Sequence, residues 1–427
     1  MIKDLFKRLI RETIEKNYLE VKERELQVPL GINKIITIIG ARRSGKTHYL
    51  YSIIETLRKT MKRELLVYIN FDDDRLFPLE IRSLNDFIEA YYEMYPENKD
   101  EKVYFFLDEI QNITNWELFV RRIYDKENCY IYLTGSSSRL LSKEIATSLR
   151  GRTIVYELFP LSFNEYLQWK SVKIIEYSIR SQSAIVHVFE HYTTSSSLPE
   201  LFNFPGDASN NVLHEYVNMV IYKDLIERYQ LSNHFMIKYL VKFLLNNTGN
   251  PLSINKMYND FKSMGLKVAK QSLYQYIDYL EDAFIFYTVP LFTTNIRERN
   301  RNPRKVYCVD NGLKELVSIT KDTGRLYENL VFLQLRRKHR EIFYFKQRQE
   351  VDFCFYNDNK EIELINVCFS LNDHQTRQRE IDGLNEAMNA LHTNHSILIN
   401  NNLEEELMID NKTIQIIPLW KWMLNLG

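Results

Sequence analysis

Ile35-Ile36-Thr37-Ile38-Ile39-Gly40-Ala41-Arg42-Arg43-Ser44-Gly45-Lys46-Thr47-His48 is the stretch from which the fold follows. Its apolar, β-branched start predicts a buried strand, and Leu50, Ile53, Ile54 and Leu57 recur behind it at helical spacing. Between strand and helix, Gly40 to Thr47 keep the spacing G-x-x-x-x-G-K-[ST] of a phosphate-binding loop. Two glycines let the backbone turn so that successive N–H groups and the positive end of the helix surround a polyphosphate. Gly40, Arg42, Arg43, Ser44, Gly45, Lys46, Thr47 and His48 are the expected cradle: Lys46 brings a point charge to the outer phosphates and the Thr47 hydroxyl a ligand for Mg²⁺. With 12 glycines in 427 residues, a chance match at this spacing is the weaker explanation.

A second motif adds hydrolysis. Val103 to Leu107 is an apolar run that ends in Asp108-Glu109, which predicts a buried parallel strand delivering two acids at its C-terminal end. Asp108 is expected in the Mg²⁺ shell, and Glu109 as the acceptor of a proton from the attacking water.

Length sets the rest of the frame: 427 residues exceed one ordinary domain. The formal charge is zero, which excludes a global field toward nucleic acid or membrane, so any DNA contact needs a local patch. Cys129, Cys308, Cys354 and Cys368 show no C-x-x-C spacing, which argues against a zinc site or a disulfide framework. No run of 18 apolar residues and no signal-peptide core occurs, so a cytoplasmic protein without a membrane partner is expected.

Four domains are predicted. Residues 1–165 form an α/β nucleotide domain with parallel strands at Ile35 to Ile39, Leu65 to Phe71, Val103 to Leu107, Tyr130 to Thr134 and Thr153 to Leu158. Residues 166–250 form a helical lid, with Tyr192 to Ser197 as a loop suited to a hinge. Residues 251–315 suit a winged helix-turn-helix: two helices, then strands at Phe284 to Leu291 and Lys305 to Val309, joined by a loop with Arg297, Arg299, Arg301 and Arg304. Those arginines and Lys305 are the candidate nucleic-acid contacts, against the alternative of a solvated basic loop on a packing module. Residues 316–427 form a second α/β unit suited to a restriction-endonuclease-like core.

The whole chain resembles a group of bacterial and archaeal AAA+ ATPases with a C-terminal domain of unknown function. Beyond the two nucleotide motifs, the markers are Asn70-Phe71-Asp72-Asp73, Leu133-Thr134-Gly135-Ser136-Ser137-Ser138, Leu149-Arg150-Gly151-Arg152, Phe159-Pro160-Leu161-Ser162-Phe163 and Tyr222 to Tyr229. The resemblance implies ATP as the nucleotide, Ser136 as a first sensor, and Arg150 and Arg152 as arginines reaching a neighbouring subunit's γ-phosphate. It therefore also implies an ATP-dependent homo-oligomer, with a hexameric ring as one form. Where the family often has Gly-Gly before a Pro-Glu, this chain has Ser196-Ser197-Leu198-Pro199-Glu200.

The C-terminal pattern resembles the PD-(D/E)XK nuclease fold. Asp352 fits its first acid and Glu328 a helix acid, but Asn366 stands where a metal-binding Glu belongs and Cys368 where the Lys belongs. An amide is a poor ligand for Mg²⁺ and a buried thiol supplies no cation, so an inactive nuclease fold is expected, with Glu350, Glu361 and Glu363 as the acids available for rescue. Two functions follow: an ATPase that remodels or moves DNA, branched or mobile-element DNA included, or a nucleotide-dependent signalling or defence switch acting on protein partners.

Overall fold

The computed structural model describes residues 2–18, 21–135, 149, 151–175, 178–318, 320 and 322–426. They fall into two compact units, 1–160 and 161–427.

In the first unit, β1 (Ile35–Ile39), β2 (Leu66–Asn70), β3 (Val103–Asp108), β4 (Cys129–Gly135) and β5 (Thr153–Glu157) form one parallel sheet in the order β2-β3-β4-β1-β5. All five expected strands are present, each within two residues of its expected ends. The central strands β1 and β3 are buried along their whole length, as strands covered on both faces are. On one side, Ile36, Ile38, Tyr68, Phe106 and Tyr132 pack against Leu50, Ile53, Ile54 and Leu57 of α2 (Lys46–Arg58), following α1 (Ile2–Glu15) in the chain. Each such side chain contributes about 1.5–3 kcal/mol on burial. Helix α1 buries Phe6, Leu9, Ile10 and Ile14, and its Thr13 Oγ1 donates to the Tyr68 carbonyl at 3.1 Å.

The second unit begins with helices Phe163–Trp169, Ile179–Thr194, Gly206–Met219 and His234–Asn246. The expected loop at Tyr192 to Ser197 is shorter than expected: the helix runs to Thr194, and Ser195 to Ser197 are irregular, with Ser196 and Ser197 buried. The reason is Asp310, whose Oδ2 accepts from the Ser197 amide at 2.7 Å and hydroxyl at 2.8 Å. A Cβ on Gly312 would lie 2.8 Å from the Ser196 backbone, so the two segments interlock at closest approach. Gly206–Met219 continues as a π-helix, Val220–Glu227, in which fully buried Asp224 accepts from Arg228 at 3.1 Å.

Next, β6 (Pro251–Leu252), β7 (Phe286–Val289) and β8 (Arg304–Cys308) form an antiparallel sheet in the order β6-β8-β7. Helices Ile254–Ser263 and Lys270–Asp282 lie between β6 and β7 in the chain, and a six-residue helix, Ile296–Arg301, replaces the expected open loop. Asn295 caps it by accepting from the Arg297 and Glu298 amides at 3.0 and 3.3 Å.

The C-terminal sheet runs β13-β14-β12-β11-β10-β9, with β9 (Phe343–Lys346), β10 (Glu350–Tyr356), β11 (Ile362–Val367), β12 (His395–Asn400), β13 (Glu405–Ile409) and β14 (Lys412–Pro418). Strands β9 to β11 are antiparallel, and β12 is parallel to both β11 and β14. The hairpin β13–β14 was not expected; its turn is Asp410-Asn411, both at positive φ, the conformation a two-residue type I′ turn needs.

Candidate nucleotide-binding site

The site is assembled at the C-terminal ends of the parallel strands. Gly40 leaves β1 at φ 145°, and a Cβ there would lie 2.2 Å from the Leu158 carbonyl oxygen, so no other residue fits. Gly45 precedes α2 in the left-handed region at φ 94°. Lys46 is buried and its ammonium donates to the carbonyls of Gly40 and Ala41 at 3.0 and 2.9 Å. Ser44 Oγ is buried without a hydrogen-bond partner among the described residues.

Strand β3 carries Asp108 to full burial at the same point. Its Oδ2 accepts from Thr47 Oγ1 at 2.8 Å and from the Tyr68 phenol at 2.7 Å, and its Oδ1 accepts from Thr134 Oγ1. Burial pushes this carboxyl above the usual carboxylate range, the neighbouring Glu109 charge adds to the push, and the three hydroxyls oppose it. Thr134 also accepts from the Glu109 amide at 3.0 Å, so one hydroxyl on β4 fixes both acids. Glu109 itself sits at φ 52°, a strained position for a non-glycine residue, and its side chain accepts from Gln111 Nε2.

These features fit a triphosphate and its metal: an orphaned Ser44 hydroxyl in a glycine cradle, a helix N-terminus, and a buried carboxylate joined to a threonine hydroxyl. Lys46, Thr47, Asp108 and Glu109 are brought together as expected. His48 lies exposed on α2, its ring edge-on to Tyr51 at 5.7 Å, and Arg42 and Arg43 are half-buried, Arg43 at φ 62°. Thr134 and Gln111 stand in marker stretches of the sequence without a role of their own, and sequence reasoning misses Tyr68 and Arg24. Buried Arg24 donates to the carbonyls of Ser44 at 2.9 Å and Phe159 at 2.7 Å, bracing the loop from an irregular segment whose sequence carries no signal.

Residues 32–167 match the family described as an AAA domain, and residues 187–323 match a domain of unknown function, DUF8612. The uncharacterized protein MJ1544 of Methanocaldococcus jannaschii is 35% identical over 99% of this chain and 96% of its own length. This chain belongs to the family of that protein, and its residues 32–167 carry an AAA domain. A Haemophilus influenzae protein is 28% identical over 91% of this chain and 94% of its own. Among solved structures, the Aeropyrum pernix ORC1 protein in complex with DNA is 12% identical with a TM-score of 0.33, covering 78% of this chain and 91% of that one. AMPPCP-bound DnaA from Aquifex aeolicus is 13% identical with a TM-score of 0.24, covering 66% and 86%.

Elsewhere in this AAA-domain protein the expected site residues divide. Ser136 and Arg150 lie outside the described residues. Arg152 is held by Asp125 through two hydrogen bonds of 2.9 and 3.2 Å, a partly exposed pair. Arg297, Arg301 and Arg304 are exposed. Arg299 is half-buried: it donates to the Thr293 carbonyl at 2.6 Å and lies 5.0 Å from the Phe343 ring centre.

Lys305 is a correction. Expected as a surface contact for DNA, it is fully buried, because β8 is the central strand of its sheet and is covered from Lys305 to Cys308, with its first residue, Arg304, exposed. Its ammonium meets Asp352 at 2.6 Å, Glu350 at 2.9 Å and Glu328 at 3.0 Å. Glu328 also accepts from the Tyr307 phenol at 2.8 Å and from Arg325 at 2.6 Å. Burial pulls the Lys305 ammonium down, but the Asp352 and Glu328 charges outweigh it and hold it well above the usual lysine value. Burial and the Glu328 charge push Asp352 up to about 7.

Asn366 and Cys368 bring no charge to this cluster. Asn366 accepts from the Asp352 amide at 3.0 Å and donates to Glu380, while the Cys368 thiol, pushed up to about 11 by burial, points to the Ser370 carbonyl at 3.3 Å. Of the acids named for rescue, Glu350 joins the cluster, two residues from Asp352 on one strand face; Glu361 and Glu363 bond Asn357 instead. Among the described residues, no group of three His, Cys, Asp or Glu side chains is arranged to hold a metal ion, and no helix is long and apolar enough to cross a membrane.

Proposed function

We propose that this protein is a Mg²⁺-dependent ATPase that uses turnover to remodel or move DNA as a homo-oligomer. The observation that carries the ATPase reading is the meeting of Thr47, Asp108, Glu109 and Thr134 beside the Gly40–Lys46 cradle. When bound, Mg²⁺ neutralises charge on the phosphates and is held by Thr47 and Asp108. Lys46, already aimed along the loop carbonyls, exchanges them for phosphate oxygens. Glu109, fixed by Gln111 and by Thr134 on its amide, takes the proton of the attacking water. Arg24 keeps the loop from relaxing by holding the Ser44 carbonyl.

DNA binding is supported by residues 234–308, where helix, strand, two helices and two strands with sheet order β6-β8-β7 follow the plan of a winged helix. Arg297 and Arg301 on the connection between β7 and β8 are exposed toward solvent, as backbone contacts require. The C-terminal domain is proposed to be a nuclease-like fold without nuclease chemistry, since two of its acids, Glu328 and Asp352, are buried against Lys305. The test is ATP hydrolysis measured with duplex, single-stranded and four-way-junction DNA, with Lys46→Ala as the blank. Turnover lost in the blank and raised by one DNA form supports the reading. An equal rate in every arm, with no salt-dependent DNA binding, removes its DNA part.

One observation favours the second function, a nucleotide-dependent switch acting on protein. Two of the five expected DNA contacts, Arg299 and Lys305, are engaged inside the fold, which thins the basic patch of a chain with zero net charge. Slow turnover with retained ADP and no DNA response selects this reading.

A further inference from the structure

Asp108 does not stand among hydroxyls of the phosphate loop alone. Tyr68, on β2 beside β3, is buried and donates its phenol to Asp108 Oδ2 at 2.7 Å, the same oxygen that accepts from Thr47 at 2.8 Å. Behind it, the Tyr51 phenol on α2 donates to the Tyr68 phenol at 3.3 Å. The Tyr51 ring in turn stacks on Tyr18 with centroids 4.0 Å apart and planes at 18°. The Tyr18 segment is tied down: its amide donates to Glu55 at 3.3 Å, and Arg58 donates to the carbonyls of Thr13, Ile14 and Lys16 at 3.2, 3.2 and 2.7 Å. The donors point one way, Tyr51 to Tyr68 to Asp108, and hydrogen bonds aligned in this sense polarise and strengthen one another.

A phenol is an expensive group to bury for packing alone, since phenylalanine fills the same space without a polar atom. We propose that Tyr68 is a positioning residue that holds the Asp108 carboxyl in one orientation for the divalent cation of the bound nucleotide, with Tyr51 aligning Tyr68. The assignment rests on the nucleotide reading above and concerns metal affinity within it. Partners of this kind, one bond removed from the ion, change metal affinity by about 10–100-fold when lost.

The experiment is Mn²⁺ titration of the full chain by electron paramagnetic resonance, with a non-hydrolysable ATP analogue at saturation. It is paired with binding of that analogue in EDTA, where no metal contributes. For Tyr68→Phe, Mn²⁺ affinity is expected to fall about tenfold, with metal-free nucleotide affinity unchanged. For Tyr51→Phe the fall is smaller and in the same direction. Unchanged Mn²⁺ affinity in Tyr68→Phe overturns the proposal, and so does an equal loss with and without metal, which marks a merely structural phenol. If Tyr68→Phe does not fold, Tyr51→Phe carries the same test. A wild-type chain that binds no analogue in either condition removes the nucleotide reading and this assignment together, whereas wild-type binding with an unaltered Tyr68→Phe removes this assignment alone.

Discussion

Asp108 and Asp352 are both buried acids on β-strands, and they differ in who answers their charge. Asp108 is met by three hydroxyls, from Thr47, Tyr68 and Thr134, which orient a carboxylate without neutralising it. Asp352 is met by an ammonium, Lys305, which two further carboxylates share. In the function proposed above, the first arrangement leaves a negative charge for an incoming cation to satisfy. The second carries its own cation, on a strand that the sequence pattern of a nuclease core does not include. Burial alone therefore does not make an acid a metal ligand; the charge left over decides it.

The largest expected effect separates the two acids by activity. Glu109→Gln is expected to lower ATP turnover by about 10²–10⁴-fold while nucleotide binding persists, as the loss of a general base does. Asp352→Asn is expected to leave turnover per folded chain unchanged. Steady-state rates and equilibrium binding on the same preparations check both, and an equal loss in the two variants breaks the distinction.

Next comes the cost of removing the internal cation. Lys305→Met leaves Glu328, Glu350 and Asp352 facing one another and is expected to destabilise the chain by about 3–5 kcal/mol. Neutralising Asp352 as well should return part of that loss. Denaturant unfolding of the single and double variants checks the coupling, and additive effects would mean the pair is not the unit described here.

Much of this was legible in the residues and some was not. The five parallel strands, the phosphate loop and the Asp108-Glu109 pair announce themselves through local pattern, since each is an apolar run with chemistry at one end. Lys305 misleads because Arg304-Lys305 reads as a basic pair, and only the placement of β8 between β6 and β7 buries the strand from its second residue onward. The Tyr192–Ser197 stretch misled for a related reason: its polarity is answered by Asp310, more than 110 residues away, as the separation of 113 between Ser197 and Asp310 shows. Tyr68 lies in an apolar strand where a tyrosine reads as core, and no local signal points it at Asp108. Asp410-Asn411 carries a local signal for a two-residue turn.

A smaller effect sharpens the first region. Gly40→Ala forces a Cβ to 2.2 Å from the Leu158 carbonyl at a φ of 145°. Backbone strain alone is expected to cost about 1–3 kcal/mol, with loss of nucleotide affinity measured in parallel. Retained affinity would show that the loop tolerates another path.

The smallest effect sharpens the second. Asp352 is pushed up to about 7 by burial and Glu328, above its unfolded value of 3.8, so the folded chain binds the proton more tightly. That contribution to stability is present at low pH and is lost as pH rises through about 7. The stability of wild type minus that of Asp352→Asn should therefore decline between pH 4 and pH 7, in unfolding curves recorded at each pH. A flat or rising difference contradicts it.

The most direct test counts metal ions. Mn²⁺ bound per chain is measured by electron paramagnetic resonance with and without a non-hydrolysable ATP analogue, for wild type, Asp108→Asn and Asp352→Asn. One Mn²⁺ is expected that appears only with nucleotide, is lost in Asp108→Asn and is kept in Asp352→Asn. An ion bound without nucleotide and lost in Asp352→Asn, or one indifferent to Asp108, would contradict it.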